Sequence, residues 1–174
     1  MATLLFATAC SSSEEEDVKQ PEQEQPETEP TDPMEKRIKE LTTPGTDERP
    51  SWTMNYDLYE QKDQTMSIQV VPQKFLTEYI SDDDLMCAMI GGEVRALTGT
   101  EQTNGQYYFP LVIAGNGNEG MVSISYYCSS LKRIYTLANW ELFDADIIPT
   151  YLGRPQEIIF DQEVYDWWMD KYEW

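Results

Sequence analysis

Apolar side chains recur at every second position through much of this chain, and that period of two restricts it to strands. Met66, Ile68 and Val70 share one face of Gln64 to Pro72. Tyr107, Phe109, Leu111 and Ile113 share one face of Gln106 to Ala114, and Val122, Ile124 and Tyr126 lead in the same way to Cys128. Turn residues separate the runs. Gly91-Gly92 and Asn104-Gly105 are two-residue hairpin signals, Gly115 to Gly120 is a looser turn, and Ser129-Ser130 ends a further strand. Ser51 to Tyr59, Leu85 to Ile90, Glu93 to Leu97, Arg133 to Ala138 and Glu157 to Phe160 complete the set. Seven or eight short strands in roughly 110 residues predict a mainly β chain with one antiparallel, Ig-like β-sandwich over residues 50–160. An open barrel would show the same pattern.

Helical signals flank the strands. Asp32 is placed to cap a helix with Pro33 in its first turn and Glu35 at capping-box spacing, while Met34, Ile38 and Leu41 share a face. Glu35 and Lys39 stand at i,i+4, and Pro44-Gly45 ends the element, so residues 34–49 read as a short helix and linker. Over residues 161–174 the spacing of Val164, Trp167, Trp168 and Lys171 predicts a short helix with one aromatic side. That side either caps an open end of the sandwich or is itself a binding surface.

Charge and missing residue types exclude several functions. With 12 basic and 32 acidic side chains, a formal charge of −20 opposes nucleic acid and anionic lipid headgroups. The chain has no histidine, so no Ser-His-Asp or Cys-His relay and no imidazole metal ligand can form. No catalysis and no obligatory cofactor are expected. Asp82, Asp83 and Asp84 form the densest acidic cluster and could hold Ca²⁺ weakly, although their spacing is not that of an EF-hand and a solvated loop is the plainer reading. Asp144 and Asp146 would serve as a glycosidase-like pair only at the right separation. Glu93 and Arg95 are two apart and can pair with each other, or Arg95 can read a carboxylated ligand.

Cys10 closes the apolar run Leu4, Leu5, Phe6, Ala7, Thr8, Ala9 and opens an acidic stretch. Leu4 to Cys10 resembles a bacterial lipobox, with Ala7 where such signals usually carry leucine. The resemblance implies a signal peptide over residues 1–9, shortened at its start since no Lys or Arg precedes the run, and a lipidated Cys10 that anchors the protein in a membrane. Residues 10–33, rich in Glu, Gln and Pro, read as a disordered tether. Acidic residues directly after the cysteine resemble the surface-export signal of Gram-negative lipoproteins, which implies an outer-membrane protein exposed at the cell surface. Cys87 and Cys128 remain as a pair, either bridged, with a gain of roughly 3 to 4 kcal/mol, or buried separately as free thiols.

The 5 Trp and 11 Tyr outnumber the 5 Phe, a balance that favours faces able to stack on sugars or fill protein interfaces. Strand alternation turns one residue of each Tyr-Tyr pair outward, which makes Tyr108, Tyr127, Trp140 and Trp167 the candidate ligand or partner surface. The alternative is a core with both sheet faces covered. The order Ile90-Gly91-Gly92-Glu93-Val94-Arg95, Tyr107-Tyr108-Phe109, Gly115-Asn116 and Val122 to Cys128 resembles a recurrent all-β accessory module of secreted and surface proteins of Gram-negative bacteria, with Ala96 where the module has glycine. It implies a β-sandwich and no catalytic residues. The expected function is a lipid-anchored, non-catalytic surface module that binds a glycan or an envelope protein. Its rivals are a structural subunit of an outer-membrane complex and a carboxylate-based glycoside hydrolase.

Overall fold

A computed structural model describes residues 32–117, 119–144 and 155–172. Cys10, the tether up to residue 31 and Asp146 lie outside the described residues. Two four-stranded sheets pack face to face. The first has the order β4 (Glu101–Thr103), β5 (Gln106–Gly115), β1 (Gln64–Pro72), β8 (Gln156–Ile158). The second runs β3 (Glu93–Thr98), β2 (Leu85–Ile90), β6 (Met121–Cys128), β7 (Arg133–Leu142). All pairings are antiparallel except β1 with β8, which run parallel. The expected mainly β fold, a β-sandwich with a short helix near each end, is the fold observed.

Alternation places the core where the period of two requires it. Met66, Ile68 and Val70 meet Ile113, Leu111 and Phe109 across the β1–β5 ladder, and Met86, Ala88, Ile124 and Tyr126 face them from the second sheet. Burying each large apolar side chain contributes about 1.5 to 3 kcal/mol. Aromatic rings join the layers: Phe109 stands edge-on to Tyr126 at 5.5 Å, and Tyr126 stacks with Tyr135 at 6.0 Å and with Phe160 at 6.2 Å. Burial, and then the nearby Asp84, push the Tyr126 phenol far up. Both predicted tight turns form, with positive φ at Gly91 (60°), Gly92 (85°), Asn104 (52°) and Gly105 (78°).

The helices close one end. In α1 (Pro33–Thr42), the Asp32 carboxylate accepts the Met34 N–H at 2.8 Å, and Ile38 and Leu41 pack on the core. In α3 (Gln162–Tyr172), Val164 is buried and the Asp161 side chain accepts its N–H at 3.0 Å. Arg37 clasps the two helices by pairing with Asp161 at 2.7 Å and Glu163 at 2.8 Å. Lys171 pairs with Glu35 at 2.6 Å and so adds a second tie between the helices.

Two strand expectations change. No strand forms over Ser51 to Tyr59: Trp52 and Met54 are half-buried between exposed neighbours, but the segment has no ladder. Asn55 then accepts the Asp57 N–H at 3.1 Å and starts the short helix α2 (Tyr56–Glu60). β4, which the sequence reading missed, is a fully exposed three-residue strand with no apolar residue to mark it.

Of the two arrangements open to the remaining cysteines, the structure has the second: both are free and buried. Cys87 stands opposite Ser125, three residues short of Cys128 in β6. That odd offset puts the two thiols on opposite faces of the sheet, out of bridging range. Burial pushes the Cys87 thiol up to about 12 and raises that of Cys128 as well. Iodoacetamide at pH 8 is therefore expected to label neither thiol in the folded protein and both in guanidinium without reductant, as read by peptide-mapping mass spectrometry. A Cys87–Cys128 linked peptide would contradict this arrangement.

Candidate functional site

The four aromatic residues expected to share a surface are dispersed. Tyr108 lies on the outer face of the first sheet, where its hydroxyl donates to Glu101 at 2.6 Å, and this bond raises its pKa. Tyr127 does point away from the core, yet it is buried. Its cover is the strap formed by residues 43–49, which the sequence reading took as linker. Gly45 N–H donates to the Leu131 carbonyl at 2.7 Å, Asp47 N–H to the Lys132 carbonyl at 2.9 Å, and the Asp47 carboxylate accepts the Ile134 N–H at 2.8 Å. Gly45 to Arg49 thus line a hollow with Tyr127 at its base.

Trp140 on β7 is half-buried against the core. Trp167 is half-buried in α3, edge-on to Trp168, with the Lys171 ammonium 4.4 Å from its ring centroid. Lys171 in turn pairs with Glu35, so Trp167 belongs to the clasp between the helices.

The acidic triplet is also divided. Asp82 and Asp83 are exposed, whereas Asp84 is fully buried at the entrance to β2. One oxygen of Asp84 accepts the Ser129 N–H (2.8 Å), the Ser129 hydroxyl (2.7 Å) and the Ser81 hydroxyl (3.0 Å). Its other oxygen accepts the Tyr126 hydroxyl (2.6 Å) and the Ser81 N–H (3.2 Å). Five donors saturate the carboxylate, which corrects the reading of Asp84 as a Ca²⁺ ligand beside Asp82 and Asp83. Among the described residues no group of three or more His, Cys, Asp or Glu is arranged to hold a metal ion.

Glu93 and Arg95 do pair, at 2.8 Å. A bulge decides where Arg95 lies: Ala96 pairs with Ala88 and Val94 with Met89, so Arg95 is the extra residue and turns inward. There its guanidinium also meets Glu119 at 3.0 Å, and Lys62 pairs with the same carboxylate. Burial would raise the Glu119 carboxyl, but the hydrogen bonds from Lys62 and the Asn116 backbone, with the charges of Arg95 and Lys62, hold it below its usual range. The Arg95 guanidinium is thus engaged by two carboxylates inside the fold.

A cleft of about 780 Å³ opens at the β4–β5 turn. Gly105, Gln106 and Tyr107 form one wall, while Lys74 and Thr77, from a 3₁₀ helix over Lys74–Tyr79, form another. Val71 and Ile80 line it with apolar surface. Among the described residues no carboxylate lines the cleft, in a chain with 32 acidic residues. Alternation sets Tyr107 in the core and so does not point to this place, whereas Tyr107 stands at the start of β5, half-buried, and lines the cleft. The Asn104-Gly105 signal was the available clue that Tyr107 lies next to a loop.

No protein-family model, curated protein or solved structure matches this chain at a significant level. No helix among the described residues is long and apolar enough to cross a membrane.

Proposed function

We propose that the chain is a lipid-anchored, surface-exposed binding module without catalytic chemistry, and that its β-sandwich presents the Tyr107 cleft to a glycan. The cleft carries this reading. It sets an aromatic residue beside an amide (Gln106) and a hydroxyl (Thr77), the combination that stacks on a sugar ring and bonds its hydroxyls, with Lys74, whose ammonium lies 5.6 Å from the Trp168 ring centroid, at its border and no carboxylate among the described lining residues. The anchor and the surface location rest on Cys10, the apolar run before it and the acidic stretch after it.

A panel of polysaccharides tested against the full-length chain by affinity electrophoresis, with Ca²⁺ varied, examines the reading. Retardation by one polysaccharide class is expected to weaken about tenfold or more in Tyr107→Ala, the scale of a lost aromatic anchor. Tyr108→Ala and Trp167→Ala, which lie outside the cleft, should leave it unchanged. Absence of retardation across the panel would refute the glycan reading. An assembly role is the second reading, favoured by a separate apolar groove on the side of the sandwich.

A further inference from the structure

The sandwich has an unfilled seam where β3 and β5 pass each other. β3 pairs with β2 alone, and β4 accompanies β5 only over Gln106–Tyr108, so further along β5 that edge has no strand beside it among the described residues. A groove of about 300 Å³ lies between the two edges. Ala96, Leu97 and Thr98 of β3 all line it. Consecutive strand residues point to opposite faces, so three in a row can line one groove only if the strand turns its edge toward it, backbone N–H and C=O included.

Across the groove stand Pro110 and Val112, and Met54 and Tyr56 close it from the segment before and within α2. Pro110 has no N–H, which disarms the β5 side as an acceptor of another strand. The β3 side keeps its donors and acceptors. Tyr56 is 68% exposed and Val112 44% exposed, a large apolar surface for two neighbouring positions.

The surroundings indicate what would cover it. Among the described residues no charged one lines the groove, and acidic side chains predominate around it: Asp57 follows Tyr56, Glu93 opens β3 and Glu101 pairs in register with Tyr108, while the exposed Arg49 on the β2 side is held by the Asp83 carbonyl at 2.7 Å. The guanidinium nearest in sequence, Arg95, is buried against Glu93 and Glu119. Such a rim attracts a basic partner, the more so in a chain of charge −20. We propose that the groove takes an extended segment of another polypeptide, added as a strand along Ala96–Thr98, apolar where it faces Tyr56 and Val112 and basic at its flanks. This site is independent of the Tyr107 cleft.

The probe is a synthetic peptide of alternating valine and lysine, compared with its valine–glutamate counterpart and with a copy N-methylated at alternate amides. With the full-length chain, the lysine peptide is expected to bind saturably, weaken as salt rises, and slow hydrogen exchange at the outward amides of Ala96–Thr98. N-methylation and Tyr56→Ala should each weaken binding about tenfold or more, while Tyr107→Ala should have no effect. Tyr56 is largely exposed, so its truncation leaves the core intact. Equal binding of the glutamate peptide, or binding without protection of Ala96–Thr98, overturns the proposal. Protection of those amides by rising protein concentration alone would also overturn it, by assigning the groove to a second copy of this chain.

Discussion

Asp84→Ala is expected to destabilise the fold by about 3 to 5 kcal/mol, a fall in Tm on the order of 10 °C. The carboxylate is the common acceptor for donors of three segments: Ser81 in the loop before β2, Tyr126 inside β6, and Ser129 in the β6–β7 turn. Truncation strands all of them. Ser81 and Ser129 are half-buried and can turn to water, but the Tyr126 hydroxyl lies in the core, where an unmet donor costs about 1 to 3 kcal/mol. Tyr126→Phe should therefore cost less, about 1 to 2 kcal/mol, since it removes one donor and leaves Asp84 four others. Combined, the two changes should fall short of the sum of their separate costs, because the second then deletes the donor that the first had stranded. Guanidinium denaturation of the three variants checks this. A loss below about 1 kcal/mol for Asp84→Ala would show that water replaces the carboxylate and that the network does not tie these segments together.

The same residue shows where sequence reading stops. Alternation assigns each strand residue to a side, and that much was correct for Met66 to Val70, for Phe109 to Ile113 and for Val122 to Cys128. The hairpin turns were legible because glycine and asparagine adopt the positive φ of those positions more readily than other residues do. Alternation does not say what covers the other side. Tyr127 points outward as expected and is nevertheless buried, since the strap over residues 43–49 crosses it and bonds to the β6–β7 turn. Trp52 and Met54 alternate like a strand, and only the absence of a pairing partner makes their segment a cover. Asp82, Asp83 and Asp84 look alike in sequence, and the choice of Asp84 for burial depends on Tyr126 and Ser129, more than 40 residues away. The local trace of that choice was Ser81, three residues before it, whose N–H and hydroxyl both return to the carboxylate. The cleft and the groove were illegible for a related reason: each is built at the end or edge of strands, where period two no longer fixes what a side chain faces.

Gln73→Ala is expected to cost about 2 to 4 kcal/mol and to release the C-terminal part of the described fold. Gln73 is a buried amide between β1 and the 3₁₀ helix. Its oxygen accepts the backbone N–H groups of Phe160 (3.0 Å) and Asp161 (2.9 Å), and its NH₂ donates to the Asp161 carbonyl at 2.9 Å. One side chain thereby satisfies three backbone groups at the junction of β8 and α3. The exposed pairs of Arg37 with Asp161 and Glu163, and of Lys171 with Glu35, hold the same region but are open to water, so they cannot substitute for it. Hydrogen exchange should then show faster exchange over β8 and α3 while β2 and β6 stay protected. Gln73→Glu separates the two functions of the amide. It keeps an acceptor for both N–H groups but sets an ionised oxygen against the Asp161 carbonyl. Burial without a cation raises the folded pKa of the new carboxyl above its unfolded value, so its deficit should be full at neutral pH and shrink as pH falls through that raised pKa, where a protonated carboxyl again donates. An alanine variant whose α3 amides exchange as slowly as those of the parent chain would show that Ile158 and Val164, buried from β8 and α3, anchor this end by packing alone.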